Sequence, residues 1–188
     1  MQEAFANQQQ LTAACLDIEK AYNMVWRYRI LKILQMHGIK NNIFNFIKNF
    51  LHTWTIQVRI ANHLSSSRII ENGVPQRSVL SISLLLLAIN DVMTNLFNLV
   101  KGFLFADDFA ICKGRNPLTA QTLLQNSLNN LQKWSLNTGF KFSSSKSVVI
   151  TFGKRRHHTN IHLSLNGQEL KETSTIKLLG LTFDSRLT

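Results

Sequence analysis

Two short apolar runs stand on either side of a pair of aspartates in the middle of the chain. Residues 103–106 and 109–112 are rich in aromatic and aliphatic side chains, which is typical of buried strands. The pattern predicts a hairpin with Asp107 and Asp108 at the bend between its strands. Adjacent carboxylates repel each other unless a cation lies near them. For a bare Asp-Asp pair, however, a solvated turn is the ordinary interpretation.

A third apolar run, residues 11–18, predicts another buried strand, with Asp17 near its end. Elsewhere the apolar spacing alternates between the helical and the strand period. Helical spacing predicts four helices, at residues 26–36, 43–54, 78–97 and 116–139. In the second helix we expect Asn41 or Asn42 as the N-cap and one apolar stripe, formed by Ile43, Ile47, Phe50, Leu51 and Trp54. In the fourth helix we expect four side chains to face inward: Leu124, Leu128, Leu131 and Trp134. Period-two spacing predicts a half-buried strand at 56–60, its partner at 68–71, a strand at 148–152, a hairpin at 161–170 turning at Asn166-Gly167, and a last strand at 176–183.

The order of these elements predicts one α+β domain. Residues 1–10 are polar and glutamine-rich and form a lead-in, and residues 11–188 contain no internal repeat or low-complexity linker. We expect a small antiparallel sheet that carries the acids, with helices packed on one of its faces.

Charge narrows the possible partners. The chain of 188 residues has 21 Lys and Arg against 10 Asp and Glu, a net charge of +11. This excess favours a polyanion, either nucleic acid or an anionic membrane surface. A membrane is the weaker interpretation, because no extended basic amphipathic helix is present and the longest apolar run, residues 84–89, falls far short of the ~20 residues of a spanning helix.

The cysteines and the N-terminus predict an intracellular protein. Cys15 and Cys112 give neither a disulfide framework nor a zinc spacing, so we expect buried reduced thiols. The polar first ten residues show no secretory signal. The six histidines show no ligand spacing with the acids. The basic cluster at residues 154–156 is either a solvated turn or a contact to a phosphate backbone.

The two acid-bearing segments predict a metal-dependent centre if they are neighbours in one sheet. Asp17 would then meet Asp107 and Asp108 at one edge. Three clustered carboxylates suit a pair of Mg²⁺ ions ~3.5–4 Å apart, the arrangement that serves phosphoryl transfer.

Five segments, in order, resemble the palm motifs of reverse transcriptases from non-LTR (LINE-type) retrotransposons. The resemblance runs through nearly the whole chain, and its segments are residues 17–26 (Asp-Ile-Glu-Lys-Ala-Tyr-Asn-Met-Val-Trp), 72–81 (Asn-Gly-Val-Pro-Gln-Arg-Ser-Val-Leu-Ser), 105–108 (Phe-Ala-Asp-Asp), the set Trp134, Gly139 and Lys146, and 178–181 (Leu-Leu-Gly-Leu). It implies a polymerase-type palm that copies RNA into DNA. The implied partners are an RNA template, a DNA primer and dNTP, with two Mg²⁺ or alternatively Mn²⁺.

The resemblance also implies a role for each matching residue. Asp17, Asp107 and Asp108 would be catalytic metal ligands, with the Ile18 backbone carbonyl as a further ligand. The nucleotide-binding residues would be Ile18, Tyr22, Gln76 and Lys146: Tyr22 would stack under the sugar and exclude a 2′-hydroxyl, the Gln76 loop would face the template base, and Lys146 would approach the triphosphate. Alternatively, Tyr22 is only a core residue and Lys146 an exposed lysine at the start of a strand.

Several departures from the family pattern qualify this expectation. Arg77 stands where the family usually has Gly, Ile82 where it has Pro, and Asn23 where it has Asp. The upstream fingers, the endonuclease and most or all of the thumb would lie outside this sequence, in a longer polyprotein. The alternative function is therefore an inactive relic or a nucleic-acid-binding module that retains the palm fold.

Overall fold

A computed structural model describes residues 10–52, 54–114, 116–153 and 161–186. Within these ranges the helices are α1 Ala21–Met24, α2 Arg27–Met36, α3 Asn41–Leu51, α4 Val79–Ile89 and α5 Pro117–Thr138, with a 3₁₀ helix at Asn90–Asn95. The strands are β1 Leu11–Ile18, β2 Trp54–Ile56, β3 Arg59–Ile60, β4 His63–Leu64, β5 Arg68–Ile70, β6 Lys101–Phe105, β7 Asp108–Gly114, β8 Phe142–Phe152, β9 Ser164–Leu165, β10 Gln168–Glu169, β11 Lys171–Glu172, β12 Thr175–Leu178 and β13 Leu181–Asp184. The described residues fall into two compact units. The first unit comprises the described parts of Met1–Glu19 and Asp91–Thr188, and the second comprises those of Lys20–Asn90.

A five-stranded sheet in the order β11-β8-β1-β7-β6 organises the first unit. Each neighbouring pair among the strands β8, β1, β7 and β6 is antiparallel, as predicted, whereas β11 pairs with β8 in parallel. Strand β1 lies at the centre because most of its residues on both faces are apolar, and six of its eight residues are buried.

Helix α5 covers one face of this sheet, and its predicted ends are confirmed. The Asn116 side chain accepts hydrogen bonds from the Leu118 and Thr119 amides, and Gly139 ends the helix at a φ of 79°. The four side chains predicted to face inward, Leu124, Leu128, Leu131 and Trp134, are buried. The Trp134 ring lies 5.5 Å from that of Phe140, and its Nε1–H donates to the Asp91 carboxylate.

The hairpin β12–β13 packs on the opposite face of the sheet. The single last strand predicted at 176–183 is therefore wrong, because Leu179 and Gly180 adopt φ values of 51° and 80° and turn the chain back on itself. Ile176 and Phe183 lie opposite each other in the hairpin and join a cluster with Leu11, Ile150 and Phe152. The predicted hairpin at Asn166-Gly167 is confirmed, with both residues at positive φ.

The helix predicted at 78–97 is shorter than expected. Helix α4 ends at Ile89, and Asn90–Asn95 continues as a 3₁₀ helix. The Asp91 carbonyl accepts from the Thr94 hydroxyl and the Asn95 side-chain amide, so side chains take hydrogen bonds that an α-helix would make with its backbone.

The second unit contains helices α1–α4 and two short two-stranded ribbons, β2–β5 and β3–β4. The half-buried strand predicted at 56–60 is wrong: Ile56, Val58 and Ile60 are 50%, 58% and 73% exposed, because each ribbon has only two strands among the residues described. The predicted asparagine N-cap of α3 is also wrong, since Lys40 holds that position without a side-chain hydrogen bond. Of the predicted stripe on α3, Ile47 and Leu51 are buried and Ile43 is exposed.

Candidate active site

Two of the predicted catalytic aspartates lie directly opposite each other on neighbouring strands. Asp17 on β1 is the register partner of Asp108 on β7. Paired residues in an antiparallel ladder have Cα atoms about 4.5–5.5 Å apart and project their side chains to the same face. The acids that stand about ninety positions apart in the sequence therefore meet at one end of the sheet.

Asp107 lies in the two-residue connection between β6 and β7. Ala106 in this connection has a φ of 52°, and Phe105 pairs with Asp108 across it. The prediction that both aspartates lie at the bend is thus correct for Asp107 only, since Asp108 is the first residue of β7. All three predicted acids line one cavity of about 310 Å³ in the first unit.

A bulge in β8 brings Lys146 to this cavity. The register of β1 against β8 shifts between Cys15 and Asp17, and four residues of β8 stand opposite a single residue of β1. Ser147 Oγ in the bulge accepts a hydrogen bond from the Asp17 amide at 3.1 Å. The Lys146 ammonium lies 3.8 Å from the Asp17 carboxylate, with the two side chains 71% and 39% exposed. Bulges commonly redirect a side chain beside an active site.

Other residues of this cavity were not predicted from the sequence, among them Cys15, Thr175 and Lys177. Cys15 lies two positions before Asp17 and faces the same side of β1, while Thr175 and Lys177 come from the β12–β13 hairpin. Burial, with smaller contributions from Asp108 and Cys112, raises the pKa of the Cys15 thiol to about 11. Burial also raises the pKa of Cys112. Both cysteines are free, as predicted, although Cys15 is only half-buried. Period-two spacing back from Asp17 could have identified Cys15.

The other predicted nucleotide-binding residues lie elsewhere along the chain. Ile18 ends β1 with its side chain buried. Because an isoleucine side chain has no donor atom, only the backbone carbonyl of Ile18 could serve as a ligand. Tyr22 lies in α1 and is half-buried, and Gln76 is exposed in the loop before α4. Both Tyr22 and Gln76 belong to the second unit, and Gln76 lines a cavity of about 480 Å³ there.

Arg77 adopts a backbone conformation that favours glycine. Its φ is 69°, in the left-handed region that residues other than Gly occupy at a cost. The family usually has Gly at this position, so the departure noted in the sequence places a long cationic side chain on a strained backbone.

The donor set suits a hard divalent cation only in part. Asp17 and Asp108 offer carboxylate oxygens from facing positions, which are the ligands that Mg²⁺ prefers. Among the residues described, no group of three or more His, Cys, Asp or Glu side chains is close enough together to hold a metal ion. Asp107 therefore lines the cavity without completing the predicted cluster of three carboxylates.

The excess positive charge is concentrated in the second unit. Residues 20–90 contain nine of the 21 Lys and Arg and one of the ten acids, so they carry +8 of the net +11. No helix in the described part of the chain is long and apolar enough to cross a bilayer. His37, His52, His63 and His162 are exposed, whereas His157, His158 and the basic cluster at 154–156 lie outside the residues described.

Comparison with known sequences identifies a family. The sequence model described as "Reverse transcriptase (RNA-dependent DNA polymerase)" matches residues 1–183. The RNA-directed DNA polymerase from mobile element jockey of Drosophila melanogaster is 30% identical over 194 residues, which cover 99% of this chain. The probable RNA-directed DNA polymerase from transposon BS of the same species is 28% identical over 195 residues. This chain spans 21% of the length of each of these two relatives.

A solved structure shares the fold. Apo telomerase from Candida tropicalis, truncated from its C-terminal domain, superposes with a TM-score of 0.60 at 14% identity, covering 94% of this chain and 34% of that one. The α+β palm-type architecture predicted from the sequence is thereby confirmed.

Proposed function

The chain belongs to the reverse transcriptase (RNA-dependent DNA polymerase) family, and on that premise we propose that it forms the palm of a polymerase that copies RNA into DNA. The proposed reaction is attack of a primer 3′-hydroxyl on the α-phosphate of a dNTP, which forms a phosphodiester bond and releases pyrophosphate. The observation that carries the proposal is the facing pair of Asp17 and Asp108, with Asp107 in the same cavity.

Asp17 and Asp108 would hold two divalent cations, and Mg²⁺ is the ion that we propose. Asp107 would join them through rotation of its side chain, and the Ile18 carbonyl would add a backbone ligand. Bound there, the ions would activate the primer hydroxyl and neutralise charge on the leaving phosphate. The protein's own contribution is positioning, since the sheet register fixes the two facing carboxylates.

Lys146 would contact the triphosphate of the incoming nucleotide. Its ammonium is mostly exposed and lies within 3.8 Å of the Asp17 carboxylate, so it can reach an anion at the mouth of the cavity. Tyr22 would exclude a 2′-hydroxyl from the sugar site, and Gln76 would face the template base, as their positions in the family motifs imply. The net +8 of residues 20–90 supports contacts to the phosphates of a template and primer.

Primer extension on poly(rA)·oligo(dT) with Mg²⁺ tests the proposal. Asp107→Asn and Asp108→Asn should each lower dTTP incorporation by at least about 100-fold, because a carboxylate ligand is lost. Glu172→Gln is the matched control: it removes an exposed acid on β11 of the same sheet and should leave incorporation within about twofold. Incorporation by the two aspartate variants equal to that of the wild type would contradict the assignment.

A second candidate function is a palm that binds nucleic acid without catalysis. The positive φ of Arg77 and the incomplete carboxylate cluster favour it. In that case the wild type and Asp107→Asn would show the same background incorporation, while both would bind an RNA–DNA duplex with an affinity that falls steeply as salt rises.

A further inference from the structure

Two segments of the second unit are joined by a pair of backbone hydrogen bonds that belong neither to a helix nor to a sheet ladder. The Gly73 amide donates to the Val25 carbonyl, and the Val74 amide donates to the Tyr22 carbonyl, both at 2.8 Å. The first segment runs from Tyr22 to Val25 and contains the Tyr22 ring, which is proposed to exclude a 2′-hydroxyl. The second is the loop of residues 72–76, which contains the Gln76 side chain proposed to face the template base. The two bonds fix the spacing of these backbones.

Gly73 allows the two segments to approach this closely. Its φ is 84°, and a Cβ added there would lie 2.8 Å from the Tyr22 carbonyl oxygen and 2.9 Å from the Cα and carbonyl oxygen of Asn23. These are backbone atoms, which cannot rotate away as a side chain would. A side chain at position 73 would therefore push the segments apart.

Arg27 donates two hydrogen bonds to the backbone of the same loop. Its Nε–H donates to the Gly73 carbonyl at 2.8 Å, and an Nη–H donates to the Asn72 carbonyl at 3.4 Å. The side chain is half-buried, and burial lowers the pKa of the guanidinium below its ordinary value. A planar guanidinium can bridge two successive carbonyls in this way, whereas a lysine ammonium has no fixed fork.

A side-chain hydrogen bond completes the connection. The Gln76 amide Nε2 donates to Asn23 Oδ1 at 3.3 Å. Gln76, Asn23 and Arg27 all line the cavity of about 480 Å³, so the bonds shape the wall of a cavity large enough for a ligand.

We propose that Arg27 is a positioning residue that fixes the 72–76 loop against the Tyr22 segment and thereby sets the selectivity for dNTP over rNTP. The inference rests on the proposed function, because Tyr22 and Gln76 matter to selectivity only in a polymerase. In this role Arg27 acts through the backbone of the loop, whose Asn72 and Gly73 carbonyls it contacts.

The test compares Arg27→Gln and Arg27→Lys with Arg29→Gln in the whole chain. Arg29 is the matched control, since it is also half-buried on α2 and donates from Nε to a backbone carbonyl, that of Ala88, at 3.1 Å. One readout is hydrogen exchange of the Gly73 and Val74 amides, and the other is the ratio of kcat/KM for dTTP to that for UTP on poly(rA)·oligo(dT).

Both Arg27 variants should speed exchange of these two amides by about tenfold and lower the dTTP/UTP ratio by about tenfold, the effect of one lost hydrogen bond. Arg29→Gln should change neither by more than about twofold. If Arg27→Lys has the wild-type exchange rates and dTTP/UTP ratio, the charge of residue 27 is sufficient without the planar guanidinium, and the proposal is overturned. Equal effects of Arg27→Gln and Arg29→Gln would also overturn it. If the wild type incorporates nothing, the proposed function fails, while unchanged amide exchange in Arg27→Gln would separately refute the positioning.

Discussion

Replacement of Gly73 by Ala should destabilise the chain more than the same replacement at Gly38. Both glycines lie in the second unit with similar positive φ values, 84° and 76°. An alanine with such a φ is strained by about 1–2 kcal/mol. Alanine also has less conformational freedom than glycine in the unfolded chain, which stabilises the folded state by about 0.4–1 kcal/mol. Both variants therefore share a net destabilisation of about 1 kcal/mol. Only Gly73 adds a clash: its Cβ would lie under 3.0 Å from three backbone atoms, whereas that of Gly38 would meet nothing within 4 Å.

The clash sets the expected difference between the two variants. Forcing extra atoms into closely packed surroundings costs about 1–3 kcal/mol. Gly73→Ala should therefore lose about 2–4 kcal/mol of unfolding free energy and Gly38→Ala about 1. Urea unfolding followed by tryptophan fluorescence measures both, since Trp26 and Trp54 lie in the same unit as the two glycines. Equal losses, within about 0.5 kcal/mol, would refute the close approach of the loop to Tyr22 and Asn23.

Three further changes test other parts of the structure. Arg77→Gly should raise the melting temperature by about 2–4 °C, because relief of the positive-φ strain exceeds the entropic cost of glycine by about 1 kcal/mol; a decrease would contradict the strain. Asn116→Ala should lower it by about 2–4 °C through loss of the α5 cap, and Asn116→Asp should not. Because the pKa of Cys15 is raised to about 11 from 9.0, its contribution to stability is present below pH 9 and is lost between pH 9 and 11. The melting temperature of Cys15→Ala should therefore fall less steeply than that of the wild type as the pH rises from 9 to 11. Equal slopes for the two proteins would exclude the effect.

The sequence predicted those elements whose signals are local. The ends of α5 were predictable because Asn116, Pro117 and Gly139 each satisfy or end the helix backbone through their own chemistry. The hairpin of Asp107 was predictable because two apolar runs too short for helices flank it. In contrast, the residues of the β2–β5 and β3–β4 ribbons alternate between apolar and polar as in a half-buried strand. Whether one side of such a strand is buried depends on a second layer of structure, which the local sequence does not encode.

The bulge in β8 and the turn at Leu179-Gly180 escaped prediction for related reasons. The serine-rich stretch before Val148 interrupts the apolar alternation, and that interruption is the one local sign of the bulge that brings Lys146 to Asp17. The apolar run at 176–183 continues through the turn, so period-two spacing predicted one strand where the chain makes two. The contacts of Arg27 with the 72–73 carbonyls join residues 45–46 positions apart and leave no local signal.

The meeting of the acids follows from the packing of the core. Leu16 pairs with Phe109 across β1 and β7, and both are buried on the face that α5 covers, where Phe109 packs against Phe142. The next pair in the ladder, Asp17 with Asp108, must point to the opposite face, because side chains alternate along a strand. A register slip of one residue would bury the carboxylates under α5 and expose Phe109. The same apolar pattern that specifies the core therefore selects the register in which the two carboxylates share a cavity.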